Sequence, residues 1–568
     1  MKVRVKSDVV DNIIELICKN RGVDYGNLER FLYPTKRDVT NPLIYTNLQK
    51  LVETLFEAMA YNKKILFVVD SDVDGFCSSA MMINYLHQDM HYSNIVWALH
   101  ENKEHGLTPY ILGVIEESNA DVIILPDASS SDYKQHKKLQ EAGKIVLVID
   151  HHEAEKFSES ALVVNNQLDN FGNKTLSGAG MVMKVLEYMD EITGLDRAEY
   201  YMDLCATALV GDCMLMTKAE TRYYVETGLR NINNPLLFEL YKAGSDRDYK
   251  MVSFDIAPTI NAFIRVGDIQ EKNDLFNALI GFNYSRDIKI RGKGEFSLEL
   301  PEYLSAMANR IKSRQTSEIK KAIDEKSHII DNNLPFTICV LDLEVNKNLT
   351  GLIGNRLTEA YNKPAIVIKD YGDSYKGSAR TIDTFPEFKS YLSDLGYFTY
   401  CEGHQGAFGL GISKESFGKM VKDLENTSIG EDSDLNLVDK IYINKVSSYE
   451  IMQVAELNNY WSRGFEQPLF YIKLENLSPK QVEIIGQKRD TIRIKHDHIT
   501  YVKFKCSVDE IERVKNTQIN SVELIGTFHI NEWNDRLYPQ VQIEKLEFIG
   551  VEIDFQPLKN TFFGGVNW

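Results

Sequence analysis

The chain lacks the features of an exported, membrane-spanning or basic, nucleic-acid-coating protein. Its seven cysteines (Cys18, Cys77, Cys205, Cys213, Cys339, Cys401 and Cys506) are scattered, odd in number and nowhere spaced as CxxC. That argues against a disulfide framework or a thiolate zinc site and leaves small buried hydrophobes in a reducing compartment. No window approaches the ~20 uninterrupted apolar residues of a membrane span. The start, "MKVRVKSDVVDNIIELICKN", has neither the apolar core nor the small-residue cleavage site of a signal peptide. A cytoplasmic protein with no membrane partner is therefore expected. Positive charge is also scarce, 64 Lys and Arg against 82 Asp and Glu for a net charge of −18. This opposes a basic coat but not a metal-dependent phosphodiesterase, whose site gathers carboxylates that bound cations then offset.

What is present reads as globular: 568 residues, 43% apolar and 26% charged, enough for two to four domains. Three short apolar runs, "KKILFVVD" (63–70), "DVIILPD" (121–127) and "KIVLVID" (144–150), alternate with helix-like segments. That rhythm predicts an α/β fold with a parallel sheet. Each run ends in aspartate, Asp70, Asp127 and Asp150, and sites in open parallel sheets form at the carboxyl ends of strands. One shared cleft follows.

The expected organisation is an N-terminal segment and catalytic domain over 1–300 and an amphipathic connecting helix over 301–330. A smaller α/β domain over 331–425, opening with "FTICVLDLEV", an acidic linker over 426–436, a β domain over 437–552 and a tail over 553–568 complete it. The β domain, with alternating runs such as "FYIKLEN" and "VELIGTFHI", reads as a five-stranded barrel. Within 473–506, eight Lys and Arg face four acids, which marks a strand-binding face with Tyr501 and Phe504 for stacking, or an ordinary solvated hairpin. The tail "FQPLKNTFFGGVNW" reads as a docking peptide or as chain packed back on the barrel.

The chemistry concentrates in two stretches. In "VVDSDVDGFCSSA", Asp70, Asp72 and Asp74 alternate after an apolar strand, and Gly75 allows a sharp turn into a helix. Three carboxylates so close repel one another unless cations lie between them. An EF-hand is excluded by the strand context and by the lack of glutamate at the twelfth loop position. In "VLVIDHHEA", Asp150 is followed by His151 and His152, whose side chains point to opposite sides. One can ligate a metal while the other faces substrate, and an acid can fix the tautomer. Asp127 and Asp212, each closing an apolar segment, join the candidates, with helix capping as their plain alternative. Carboxylate and imidazole donors without thiolate favour Mn²⁺ or Mg²⁺. Two such ions suit in-line attack of water on a phosphodiester.

With these residues in hand, the chain resembles the DHH phosphoesterase family, and within it the RecJ-type exonucleases. "DSDVDG", "PDASSSD", "VIDHHEA" and "LVGDCMLM" look like its four catalytic motifs, in order. "NNQLDNFGNKTLSGAGMVMKVL" and "IAPTINAFIRVGD" match further RecJ-like stretches. "GLIGNRLTEAYNKPAIVI", "GSARTID" and "GHQGAFGLGI" look like the DHH-associated C-terminal domain, and the last β domain stands where the family has an OB-fold. The resemblance implies two manganese ions, with magnesium as a substitute. Asp72, Asp74, Asp127, His151 and Asp212 would be the main ligands, with Asp70 as a further ligand and Asp150 in support. His152 would lie near the scissile phosphate, and Arg265, Ser378, Arg380 and His404 would hold phosphates of the strand. His100 stands where the family carries an arginine that reads a 5′ phosphate, and neutral imidazole grips an end phosphate less firmly than a guanidinium. Glu402 before Gly403 and Ile264 before Arg265 also depart from the family pattern.

The function implied is removal of nucleotides from the 5′ end of single-stranded DNA in recombination or repair, by a monomer working with a single-strand-binding protein or a helicase. Two alternatives stand beside it. One is a DHH phosphodiesterase for short oligoribonucleotides or cyclic dinucleotides, whose relatives would not need residues 436–552. The other is a replication scaffold that binds DNA without cutting it, a class that loses its metal acids.

Overall fold

The computed structural model describes residues 1–552, apart from 8–9, 242–246, 291, 293, 331–333, 383–384, 428–434 and 535; the side chains of 290, 404, 517, 518, 551 and 552 are also outside it. Most of the expected linker and the whole tail, with its docking reading, lie outside the described residues. The chain separates into two compact units, one of residues 29–433 with 462–464, the other of residues 1–28, 434–461 and 465 onward.

In the larger unit, β1 (Ile65–Val69), β2 (Ile95–Leu99), β3 (Val122–Pro126), β4 (Ile145–Asp150) and β5 (Leu162–Asn165) form a five-stranded sheet in the order β2-β1-β3-β4-β5. Every pairing is parallel. All five residues of β1 and of β3 are buried, as expected for strands covered by helices on both faces. The three aspartate-ended strands β1, β3 and β4 are neighbours, so their terminal acids arrive at one edge.

Helices α1 (Val73–Asn84), α2 (Gly178–Thr193) and α3 (Met202–Gly211) pack together with the sheet in one core. Further along, α4 (Ala257–Val266) packs against α5 (Leu300–Glu325), the expected connecting helix. That helix ends at Glu325, and residues 327–330 already form a strand.

The smaller α/β domain carries β6 (Ser327–Ile330), β7 (Thr337–Leu341), β8 (Ala365–Asp370), β9 (Ser374–Arg380), β10 (Phe398–His404) and β11 (Ala407–Ser413), in the order β10-β11-β9-β8-β7-β6. Only β7 and β8 run parallel. Between those two strands lies α6 (Thr350–Tyr361), the crossover a parallel pair requires.

The second unit is a seven-stranded sheet rather than the expected five. Its strands are β12 (Lys440–Ile443), β13 (Phe470–Leu474), β14 (Val482–Ile485), β15 (Thr491–His496), β16 (Ile499–Lys503), β17 (Thr517–Trp533) and β18 (Arg536–Glu552), ordered β12-β13-β17-β18-β16-β15-β14. The two strands of the final hairpin, 17 residues each, are long enough to pair with different partners along their length.

Residues 1–28 belong to this unit, not to the catalytic domain where the sequence placed them. A four-residue strand, Lys2–Val5, is too short to stand alone and pairs in parallel with Leu435–Val438, which takes the end of the expected linker into a strand. The buried Arg21 guanidinium meets the fully buried Asp439 carboxylate at 2.7 Å. Burial alone would raise the Asp439 carboxyl, but Arg21 and its neighbours outweigh it and hold it below the usual range. Replacing Asp439 with Ala strands a buried guanidinium and should cost about 3–5 kcal/mol. The pair's stabilisation should be full above about pH 4 and fade as pH falls through the depressed folded value. Thermal unfolding of wild type and Asp439→Ala across pH 3–7 checks both, and equal stability at pH 7 contradicts them.

Candidate metal centre and phosphate cleft

The sheet edge gathers its acids by three local devices. The Asp72 side chain caps α1, with Oδ1 accepting from the N–H groups of Asp74 (3.0 Å) and Gly75 (3.1 Å). Gly75 is obligatory, because a Cβ there would lie 2.5 Å from Asp70 Cβ. Asp74 reaches the start of α2: Oδ2 accepts from Gly178 N–H at 2.7 Å, and Oδ1 from Ala179 N–H at 2.9 Å and Ser177 Oγ at 3.0 Å. A Cβ on Gly178 would stand 2.5 Å from Asp127 Oδ1. Asp127 itself sits at φ +67°, a left-handed conformation that costs a non-glycine residue about 1 kcal/mol or more and turns the chain off β3.

His151 is the hub. Its Nε2 lies 3.1 Å from Asp127 Oδ1, 3.5 Å from Asp212 Oδ2 and 3.7 Å from Asp74 Oδ2. Asp212 arrives from the C-terminal end of α3. Asp150 plays a different part. Its Oδ1 accepts from His151 N–H (2.7 Å), His152 N–H (3.1 Å) and His152 Nδ1 (2.8 Å), and its Oδ2 from Ser130 N–H (3.0 Å). Burial alone would raise this carboxyl, yet His152 and these donors drive it far below the usual range. Reciprocally, burial would lower His152, but Asp150 outweighs it and pushes the imidazolium up to about 10. His152 is half-exposed on the cleft, 4.0 Å from Asp127 Oδ1.

Asp74, Asp127 and Asp212 shift the other way. Burial and then the Asp72 charge push Asp74 up to about 6. Burial and then Asp74 push Asp127 and Asp212 well above the ordinary carboxylate range. Asp70 Oδ1, Asp127 Oδ1 and Asp212 Oδ2 are buried with no hydrogen-bond partner among the described residues. Donor atoms of Asp74, His151 and Asp212 lie within 4.8 Å of one another, as do those of Asp127, His151 and His152, and of Asp70, Asp72 and His105. Unsaturated carboxylate oxygens beside imidazole, with no thiolate, fit divalent cations of the Mn²⁺ or Mg²⁺ kind.

A cleft of about 740 Å³ runs from this edge to the smaller α/β domain. Asp127, Asp150, His152, Arg265, Ser378 and Arg380 all line it. Local backbone geometry places Arg380. Gly351 and Gly354 on α6 clear the path of Arg380, whose Nη2 and Cγ would lie 2.2 and 3.0 Å from a Cβ at those positions. Ser378 Oγ pairs with Thr350 Oγ1 at 2.9 Å. Burial and then Arg265 push the Arg380 guanidinium down to about 10, and burial lowers Arg265 as well. No carboxylate pairs with either guanidinium among the described residues, so two neighbouring cations face a cavity: an anion site by charge.

Two expectations fail here. His100 follows β2 but is buried, its imidazole lowered by burial, and is not among the residues that line the cleft. The loop beyond it delivers Lys103 and His105 instead. In the second unit Tyr501 is 1% exposed and belongs to the core, leaving Phe504 as the exposed aromatic of that stretch. Lys473, Arg493 and Lys503, three of its eight basic residues, are paired with Glu475, Glu483 and Glu510. His404 ends β10, and its side chain lies outside the described residues.

Lys103 and His105, not singled out from the sequence, lie in the stretch "ALHENKEHGL" whose family resemblance points to His100; their own signal is position, in the loop after a parallel strand of the sheet that carries the acids. A second missed feature is the tip of the β17–β18 hairpin. Trp533 pairs with Arg536 and Asn531 with Tyr538, so these four side chains share one face, with both rings exposed.

Comparison with known proteins agrees with this architecture. The model of the DHH family N-terminal domain matches residues 64–209, and that of the RecJ OB domain residues 441–545. YorK of Bacillus subtilis, a prophage-derived chain named as a single-strand DNA-specific exonuclease, is 33% identical over 558 residues, covering 94% of this chain and 95% of its own. RecJ of the same bacterium is 23% identical over 559 residues, 94% of this chain and 67% of its own. The crystal structure of Thermus thermophilus RecJ with Mn²⁺ shares the fold, with a TM-score of 0.74 at 19% identity over 97% of this chain and 80% of that one. The chain belongs to the DHH family and, within it, to the RecJ group of exonucleases.

Because burial and then the Asp74 charge raise Asp127 and Asp212 above the ordinary carboxylate range and so favour their protonated forms without a cation, Mn²⁺ binding to the metal-free protein should displace protons. Calorimetry in buffers of differing ionisation enthalpy should give heats that scale with the buffer; buffer-independent heats contradict this charge state.

Proposed function

We propose that the chain is a metal-dependent exonuclease that degrades single-stranded DNA from its 5′ end, in recombination or repair, as a monomer. The observation that carries the reading is one cleft lined both by acids and imidazole of the metal cluster and by two arginines that form no ion pair among the described residues. The relatives named as single-strand DNA-specific exonucleases support DNA as the substrate.

Asp72, Asp74, Asp127, His151 and Asp212 would hold the cations, with Asp70 beside them. Mn²⁺, or Mg²⁺ in its place, would supply Lewis acidity for in-line attack of water on the phosphodiester, two ions serving better than one. The chain's own residues do the rest. Arg265 and Arg380 grip phosphate oxygens, with Ser378 donating its hydroxyl, so the strand is fixed by its backbone rather than its sequence. The family resemblance adds His404, at the end of β10, as a further phosphate contact. Asp150 keeps His152 protonated through Nδ1, which turns Nε2 toward the cleft to donate to a phosphate or leaving oxygen. With His100 buried, the 5′ phosphate is read by the arginine pair and Lys103. A single-strand-binding protein or a helicase would supply the strand.

A 3′-labelled single strand, with and without a 5′ phosphate, tests the reading. Wild type with Mn²⁺ should shorten it progressively from the 5′ end, and His151→Ala should not. Arg380→Ala should weaken strand binding by roughly 10–100-fold, the worth of charge-assisted hydrogen bonds, with a smaller effect on kcat. Cleavage confined to di- to tetranucleotides would favour an oligonucleotide phosphodiesterase.

The Trp533 and Tyr538 face has the chemistry of a base-stacking platform. Trp533→Ala with Tyr538→Ala should lower affinity for long strands, by ~1–3 kcal/mol per lost stack, and spare cleavage of short oligonucleotides. Fluorescence anisotropy with strands of graded length checks this, and unchanged affinity for long strands contradicts it.

A further inference from the structure

Asp70 is fully buried, and its two oxygens are treated differently. Oδ2 lies 2.5 Å from His105 Nδ1, whereas Oδ1 has no hydrogen-bond partner among the described residues. Asp72 completes a triad whose donor atoms lie within 4.8 Å of one another. Asp72 spends Oδ1 on capping α1.

The His105 side chain is half-exposed, but its backbone is held in place. Its loop is tied to the smaller α/β domain, with Lys103 N–H donating to Asn348 Oδ1 at 2.9 Å and Glu104 Oε1 meeting Lys347 Nζ at 2.7 Å. On its other flank Gly106 turns at φ +65°, where a Cβ would lie 2.5 Å from Asp132 Oδ2. Anchors on both sides of His105 hold its imidazole over Asp70.

We propose that His105 is the third protein ligand, with Asp70 and Asp72, of a divalent-cation position distinct from the one framed by Asp74, His151 and Asp212. The proposal rests on the metal reading of the site and adds to it a residue from the loop after β2. The donor set also sets a preference. One imidazole nitrogen among carboxylate oxygens suits Mn²⁺, whereas Mg²⁺ favours oxygen donors. A simple ion pair between an imidazolium and Asp70 is the competing account, and it makes the opposite forecast: removing His105 would leave cation binding intact or strengthen it.

The test is a titration of metal-free, full-length protein with Mn²⁺, the free ion read by electron paramagnetic resonance, with no DNA present. Wild type should bind about two equivalents. His105→Ala should lose one of them or weaken it by at least ~10-fold. His105→Asp should retain it, because its carboxylate oxygen branches from the same carbon as Nδ1; a variant that lost binding through misfolding would not be rescued in this way. Mg²⁺ binding should fall less than Mn²⁺ binding in His105→Ala. Unchanged or tighter Mn²⁺ binding by His105→Ala overturns the proposal while leaving the exonuclease reading intact. Absence of Mn²⁺ binding by wild type overturns both.

Discussion

Crowding of like charge at the end of one parallel sheet is the constraint on which the rest of the structure depends. Carboxylates of Asp74, Asp127 and Asp212 converge within a few ångströms of His151, and those of Asp70 and Asp72 gather with His105 at the same end of the sheet. The fold compensates them unequally. Asp150 has its oxygens engaged by four donors and is held ionised, so its work is to orient the two histidines. Asp74 is half compensated by the start of α2. Asp127 and Asp212 each keep an oxygen with no hydrogen-bond partner among the described residues, and both are pushed toward the protonated form. An arrangement that leaves buried carboxylates unsatisfied is unfavourable by itself and becomes favourable once cations enter it.

The packing around the cluster serves the same end. Gly75, Gly178 and Gly211 stand where a Cβ would strike Asp70, Asp127 and Val73, so the helices approach the sheet edge more closely than side chains would permit. Asp127 accepts a left-handed backbone at the exit of β3. These are local departures from ordinary preference, and they coincide at the site rather than being spread through the fold.

The acids, the paired histidines and the α/β rhythm were legible in the sequence because each is a local pattern: an apolar run, an abrupt aspartate, a glycine. Arg265, Ser378 and Arg380 were legible through the family resemblance, and the structure brings them into the same cleft as the acids. What escaped is long-range. Residues 1–28 join the second unit through a strand pairing and an ion pair that span more than 400 positions, which no window of sequence contains. Tyr501 alternates like a surface aromatic yet faces the core, since the period of a strand does not say which face is covered. The family resemblance points to His100, yet the loop beyond it carries Lys103 and His105 to the cleft.

In the proposed reading the acids of the cleft hold cations and its arginines hold phosphate. Crystals of the protein grown with MnCl₂, with anomalous diffraction recorded at the manganese edge, test that division most directly. The account predicts an anomalous peak bounded by Asp74, Asp127, His151 and Asp212. A cluster free of anomalous density, with its carboxylates hydrogen-bonded to one another instead, would contradict it.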